Sequence, residues 1–334
     1  MTNEPLIKTT VVGSYTIRGW MPDLPTMQEL KDASQKVIKR LEDLGLDLVC
    51  DGELYRFDSD HPETNGMIDY FIGPMTGIRS ELSTNERDEY NEREGMKFRK
   101  TSPGIVEGPI GPGSLDLVSP CRKLTDTATK PTKFTMTGPH MLSKTVADKH
   151  YGSTDKIAMA FAEVLAEQAA QLDADVIQVD EANLPGHPEE WEWALAAINM
   201  VLDSIKTSGA VHLCFGNYAG KRVQTGTWDK LLRYFDGLHA DHVVLECKNR
   251  PADEIEVFKG LKSELGLGIG VVDIKSSEVE TPDNIARDLD RIGSILGPER
   301  IKYIHPDCGF WMLDRTIVDA KIEALVKGRD LYLK

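Results

Sequence analysis

Short runs of β-branched and apolar residues alternate with amphipathic stretches along this chain, and no other feature restricts its possible folds as strongly. The runs are "TTVVGSY" (9–15), "DLVCDGE" (47–53), "KFTMTGP" (133–139), "DVIQVDEA" (175–182), "AVHLCFGN" (210–217), "HVVLEC" (242–247), "GIGVVDI" (268–274) and "IKYIHPDCG" (301–309). Helical patterns lie between them at 26–44, 154–172, 189–207, 282–296 and 314–331, with Ser153 and Thr281–Pro282 placed as helix caps. Eight alternations predict an α/β fold, a (β/α)8 TIM barrel formed by one domain over 1–334, with its site at the C-terminal ends of the strands. Residues 54–130 break the rhythm with the charged "RSELSTNERDEYNEREGMKFRK" and the Gly- and Pro-rich "SPGIVEGPIGPGSL". They read as an insertion between strands two and three, a hairpin arm and not a separate domain.

Charge and cysteine usage exclude several classes. A formal net charge of −15 offers no basic field to phosphate backbones, so nucleic acid is not an expected partner. The N-terminal "MTNEPLIKTTVVGSY" lacks the pattern of a signal peptide, and no run of about 18 apolar residues could span a bilayer. The expectation is a cytoplasmic protein. Five scattered cysteines (Cys50, Cys121, Cys214, Cys247, Cys308) read as reduced thiols or metal ligands, not as a disulfide framework.

The strand ends concentrate the reactive residues. His212 and Cys214 stand two apart in one strand, so their side chains leave the same face about 7 Å apart along the chain. Strand six ends in Glu246 and Cys247, and strand eight ends in Cys308 within "HPDCG". Taken singly, a strand histidine or cysteine is more often a core residue than a ligand. Converging from separate strand tops, thiolate, imidazole and carboxylate point to Zn²⁺. Glu53, after "DG", and Asp180, in "VDE", could grip an ammonium group at the mouth or simply end their strands in water. The Gly13–Ser14 turn could take a carboxylate on its backbone N–H groups.

Together these segments resemble the catalytic domain of the cobalamin-independent methionine synthase family over nearly the whole chain. "VVGSY" is similar to the family's Ile/Val-Gly-Ser-Phe/Tyr turn, "DGELYRFD" to its "GE(F/P)ER", "MTGP" to its "LTGP", "IQVDEANL" to its "IQIDEPAL", and "HPDCG" to its "(N/H)PDCG". The resemblance implies zinc held by His212, Cys214, Glu246 and Cys308, with Cys247 not a ligand. It implies that Glu53, Asp180, Gly13 and Ser14 bind homocysteine or methionine, with Asn217 lining the pocket. A zinc-bound thiol is acidified and attacks as thiolate, and Glu246 is the ligand that most naturally loosens for it.

Two departures bear on the methyl donor. Full-length members carry a second, folate-associated barrel for which 334 residues leave no room, so the chain resembles the short "core" members. Lys275 stands in "VVDIKSSEVE" where the family places a histidine proposed to protonate the leaving group, and it takes over the expectation of a catalytic acid. Lysine there suits methylcobalamin or a methyl-corrinoid protein, because a corrinoid leaves as a stabilised anion. It could equally reach solvent or an anionic group of a substrate. The competing expectations are thiol alkylation as in epoxyalkane:coenzyme M transferases, a zinc-free enzyme like uroporphyrinogen decarboxylase, and a non-enzymatic corrinoid-binding or partner-binding role.

Overall fold

The computed structural model describes residues 6–58, 66–92, 102–217 and 224–334. Parts of the expected 54–130 insertion, at 59–65 and 93–101, lie outside the described residues, as does the end of "FGNYAG". Ten strands are described: β1 (Lys8–Thr9), β2 (Thr76–Arg79), β3 (Ile105–Gly111), β4 (Lys133–Thr137), β5 (Ala147–Asp148), β6 (Val176–Asp180), β7 (Ser208–Leu213), β8 (His242–Leu245), β9 (Gly266–Val272) and β10 (Ile301–Pro306). The helices are α1 (Met27–Asp43), α2 (Asp69–Ile72), α3 (Thr84–Asn91), α4 (Val118–Thr127), α5 (Pro139–Thr145), α6 (Thr154–Ala169), α7 (Trp191–Leu202), α8 (Leu232–Gly237), α9 (Ala252–Glu256), α10 (Pro282–Leu296) and α11 (Arg315–Tyr332).

Seven strands form one curled parallel sheet in the order β1-β10-β9-β8-β7-β6-β4. β2 and β3 pair antiparallel within the 54–130 region, with β5 added parallel to β3. The expected second strand at 47–53 is not a strand among the described residues; Val49 makes a single parallel bridge to Thr132. Side-chain bonds supplement the sparse main-chain contacts there. Asp47 Oδ2 accepts from both the N–H and the hydroxyl of Thr9 at 2.8 Å, and Thr10 Oγ1 donates to Leu48 O at 2.9 Å. Main-chain contacts still reach both sheet edges: Thr9 O accepts from Asp47 and Leu48, and Val49 exchanges bonds with Pro131 and Lys133. The expected first strand, 9–15, overlaps β1 only at Thr9, and past Thr10 the chain leaves the sheet and bends at Gly13.

The same aspartate device recurs at the sheet's N-terminal edge. Asp175 accepts from Thr132 N at 2.7 Å and Asp241 from Gly209 N at 2.9 Å, each binding a donor of the preceding strand. Helix starts also follow local chemistry. Thr26 and Glu29 form a capping box on α1, and Thr281 caps α10 with Pro282 following. Ser153 occupies the expected cap position of α6, but its side chain makes no capping bond.

Strand alternation sorts residues between helix-facing and inward faces. Val12, Leu48, Val176, Ala210 and Val244 form a small inner cluster with Tyr303 against it. The larger cluster packs sheet against helices and includes Ile177, Val179, Val211, Leu245, Ile269 and Ile304. Inward Gly270 on β9 admits the Asp307 side chain: a Cβ there would lie 2.2 Å from Asp307 Oδ1 and 2.9 Å from Leu245 O. Gly270→Ala is therefore expected to cost about 1–3 kcal/mol through overpacking. Chemical denaturation would measure this, and a transition unchanged from the parent's would refute the packing account.

Candidate metal centre and substrate pocket

Parallel register carries side chains from successive strands to one end of the sheet. Asp180 of β6 pairs with His212 of β7, and Glu181 N donates to His212 O at 2.8 Å. Cys214 follows two residues later on the same face. Cys308 arrives from the loop after β10, where its Sγ lies 3.8 Å from that of Cys214. Donor atoms of His212, Cys214 and Cys308 all fall within 4.8 Å of one another. Three of the four expected metal ligands thus meet.

The imidazole is set up as a ligand. His212 Nδ1 and Val244 O are 2.9 Å apart, so the backbone carbonyl fixes the proton on Nδ1. Nε2 keeps its lone pair, buried and without a hydrogen-bond partner. Two sulfurs and one imidazole nitrogen are a donor set for Zn²⁺, and the orphaned Nε2 is the atom such an ion would satisfy. The protons are unevenly shared. Contact with the Cys214 thiol, reinforced by His212 and Lys275, drives Cys308 well below the usual thiol range. Contact with Cys308 and burial push Cys214 up.

Glu246 stands beside this group and outside it. Its Oε2 accepts from Phe215 N at 3.0 Å and its Oε1 from Lys275 Nζ at 3.1 Å, with the residue 2% exposed. Cys247, left open by residue chemistry alone, is also outside the group; its N–H donates to Asp307 Oδ1 at 2.9 Å. Asp307 accepts from Lys248 N at the same distance and ties the loop after β8 to the loop carrying Cys308. All five cysteines are free thiols.

The expected substrate residues are linked to one another and, through Ser14 and Asn217, to the loop that carries Cys308. Glu53 is the one non-glycine residue with positive φ among the described residues, at 61°. This uncommon conformation turns its side chain inward. Its carboxylate accepts from Thr135 Oγ1 at 2.5 Å and lies 3.6 Å from the Arg56 guanidinium. It also occupies the space a Cβ on Gly13 would need: that atom would lie 2.0 Å from Glu53 Oε1. Ser14 O accepts from Phe310 N at 2.9 Å, placing the turn against the Cys308 loop. Asn217 Nδ2 donates to Gly309 O at 3.1 Å, while its Oδ1 is buried without a partner. Asp180 accepts from Gln178 Nε2 at 2.8 Å; burial, with Glu53 adding to it, pushes its pKa up to about 7.

Several supporting residues escaped sequence reasoning. Arg56 is buried among the rings of Tyr55, Tyr70, Phe71 and Phe134, at 5.3 to 5.7 Å from their centroids, and donates to Thr135 O at 2.7 Å. Arg56 and Asp307 lay inside quoted motifs, "DGELYRFD" and "HPDCG", but nothing local marked their contacts. A second close group, His187, Glu189 and Glu190, sits in the loop after β6. Its Glu190 is already engaged by Lys144 Nζ and His140 Nε2, each at 2.8 Å. A cavity of about 1030 Å³ between α1 and α4 reaches Asp51, Tyr55 and Arg56 but none of the metal-centre residues.

A parallel α/β scaffold that gathers a His–Cys–Cys group able to hold a metal ion, with carboxylates nearby, is the arrangement of an enzyme site. The family model "Cobalamin-independent synthase, Catalytic domain" matches residues 18–329, and the chain belongs to that family, which makes it an enzyme of the methyltransferase type. It is 27% identical over 346 residues to a methionine synthase of Thermococcus kodakarensis, covering 98% of this chain and 94% of that protein. It is 28% identical to one of Sulfurisphaera tokodaii, covering 98% and 93%. Among solved structures, a B12-independent methionine synthase from Shewanella sp. W3-18-1 in complex with selenomethionine superposes with a TM-score of 0.79 at 23% identity, covering 97% of each chain. Among the described residues, no helix is long and apolar enough to cross a membrane.

Removing Arg56 would take a buried cation from beside the Glu53 carboxylate, which lies near Asp180. Arg56→Met is expected to lose about 3–5 kcal/mol, the scale for breaking a buried ion pair by deleting one partner. Thermal unfolding followed by circular dichroism would test this; a midpoint equal to the parent's would show that Arg56 does not compensate Glu53.

Proposed function

We propose that this chain is a zinc-dependent thiol methyltransferase that converts homocysteine to methionine. The observation that carries the reading is the juxtaposition of the His212–Cys214–Cys308 group with two buried carboxylates, Glu53 and Asp180. An amino acid bearing a thiol is the ligand that satisfies both. His212, Cys214 and Cys308 hold the metal, and Glu246 is its exchangeable oxygen donor. When bound, Zn²⁺ lowers the pKa of the substrate thiol and so presents a thiolate at neutral pH.

The chain's own residues supply binding and orientation. Glu53 and Asp180 take the ammonium group, which relieves the repulsion between their charges. The Gly13–Ser14 turn takes the carboxylate on its amides, and Asn217 offers its free Oδ1 to the same ligand. The sulfur attacks the donor's methyl carbon, a C–S bond forms, the bond to the leaving group breaks with its electron pair, and the thiol proton goes to solvent. Methylcobalamin or a methyl-corrinoid protein is the proposed donor, because Lys275 stands where the family resemblance implies a histidine that protonates the leaving group. The scaffold for this chemistry is proposed to be a closed (β/α)8 barrel in one domain, with residues 46–49 as the eighth stave. The bonds from Thr9 and Val49 to both sheet edges support that closure.

Coenzyme M is disfavoured by the same electrostatics. Its sulfonate would face Glu53 and Asp180, while Lys275 and Arg56 are engaged by Glu246 and Glu53. Metal analysis of the purified protein, with methylcobalamin and homocysteine as substrates, tests the reading directly. Cys308→Ser is expected to lose its zinc and at least about 100-fold in methyl transfer, more than the 10- to 100-fold typical of removing an outer partner of a ligand. Full zinc and undiminished transfer in that variant would overturn it. Glu53→Gln and Asp180→Asn are each expected to raise KM for homocysteine about 10- to 100-fold, the scale of one charged hydrogen bond. Turnover of 2-mercaptoethanol, which lacks the amine, should barely change. Equal losses with both thiols would argue against ammonium recognition.

A further inference from the structure

We infer that Gln178 is a positioning residue for the amino-acid pocket. Its side-chain amide ties Asp180 to the backbone that leads into the Gly13–Ser14 turn, and Lys133 sets which way that amide faces. The inference rests on the reading proposed above, in which Asp180 takes the ammonium group and the turn takes the carboxylate.

Three buried side chains form the device. Lys133 lies on β4 and Gln178 on β6, adjacent strands of the sheet, and neither residue is more than 1% exposed. Lys133 Nζ donates to Gln178 Oε1 at 3.0 Å and to Val11 O. Gln178 Nε2 donates to Asp180 Oδ1 at 2.8 Å and to Val12 O at 2.9 Å. Val11 O also accepts from Thr10 Oγ1 at 3.2 Å. Val11 and Val12 lie past the end of β1 and immediately before Gly13, so both grips fall on the segment that enters the turn. Donor and acceptor chemistry decides how the amide faces. An ammonium group only donates, so the Gln178 atom facing Lys133 is the oxygen. The nitrogen then faces two acceptors, the Asp180 carboxylate and Val12 O, and uses one hydrogen on each. Turned over, the amide would set its oxygen against two acceptors and its nitrogen against a cation, leaving buried polar groups unsatisfied on both sides.

The consequence is geometric. A carboxylate can swing about its side-chain bonds, and the Gln178 bond to Oδ1 fixes that swing for Asp180 while Oδ2 stays outside the contact. The same nitrogen holds Val12 O, one residue before the turn. The group that takes the ammonium and the turn that takes the carboxylate therefore keep one separation, as a ligand carrying both on a single carbon requires. Further along, Cys50 Sγ donates to Gly13 O at 3.1 Å and Tyr15 N to Gly52 O at 2.9 Å. Those contacts hold the turn but do not reach Asp180; the Gln178 amide joins the two.

Gln178→Met keeps the length and removes both donors. Titration calorimetry of the zinc-loaded protein is expected to show Kd for homocysteine raised about tenfold or more, the scale of one hydrogen bond to a charged group. Three truncated thiols separate positioning from general damage: 3-aminopropanethiol keeps the ammonium, 4-mercaptobutyrate keeps the carboxylate, and 2-mercaptoethanol has neither. Affinity for the first two should fall, while zinc content and affinity for 2-mercaptoethanol should match the parent's. Lys133→Met should weaken homocysteine binding in the same sense, and the double variant should bind no worse than Gln178→Met, because both residues act through one amide. Circular dichroism of each variant checks the fold, and where one does not fold the other is measured. With homocysteine bound by the parent, an unchanged Kd in the folded variant, an equal loss with all four thiols, or a loss of zinc would overturn this inference alone. Additive losses in the double variant would overturn the role given to Lys133. Absence of homocysteine binding by the zinc-loaded parent would overturn the proposed function, and this inference with it.

Discussion

A strand hydrogen-bonded to parallel neighbours on both sides can end its inward face at only one rim, and the site depends on that constraint. Asp180 and His212 are register partners, Cys214 continues the same face, and Glu246 and Cys308 follow from the ends of β8 and β10. Parallel pairing converts residues scattered over 180–308 into one mouth. Helices pack the opposite face, so the rim carries the chemistry and the outside carries the apolar core.

Burial of charge then dictates how the rim is organised. Glu53 has Arg56 and Thr135, Glu246 has Lys275 and the Phe215 amide, and Asp307 has two amides. Deeper inside, Lys133 reaches Gln178 Oε1 at 3.0 Å as well as Val11 O, and burial lowers its pKa to about 8. Each buried charge costs too much to stand alone, so each recruits a partner, and the partners fix side chains that would otherwise be mobile. The atoms that the protein leaves unsatisfied are informative for the same reason. His212 Nε2 and Asn217 Oδ1 point to what the mouth binds.

Legibility in the sequence followed the range of the interactions. β4 and β6 to β10 are β-branched runs whose periodicity is local, and six of the expected strands overlap them. The run at 47–53 reaches both sheet edges through a few main-chain bonds and one bridge, Val49 to Thr132, but forms no ladder. Whether such a run completes a ladder with neighbours distant in the chain leaves no trace in a hydropathy pattern. Glu53 was legible as a polar residue at a strand end, but its left-handed backbone and its contact with Gly13 were not. Arg56 lay unremarked inside "DGELYRFD", and the four aromatic rings that surround it come from residues no local pattern connects.

The sequence by itself determined the α/β alternation, the residue types available at the strand ends, and the His-x-Cys spacing that places two donors on one face. Those are consequences of backbone period, which is written residue by residue. Tertiary structure alone decided that Cys308 comes within 3.8 Å of Cys214, and that Lys275 spends its charge on Glu246. Both outcomes depend on how far the sheet curls and on which buried charges find one another across separate loops. Such pairings are set by three-dimensional distance and desolvation, which no local pattern encodes.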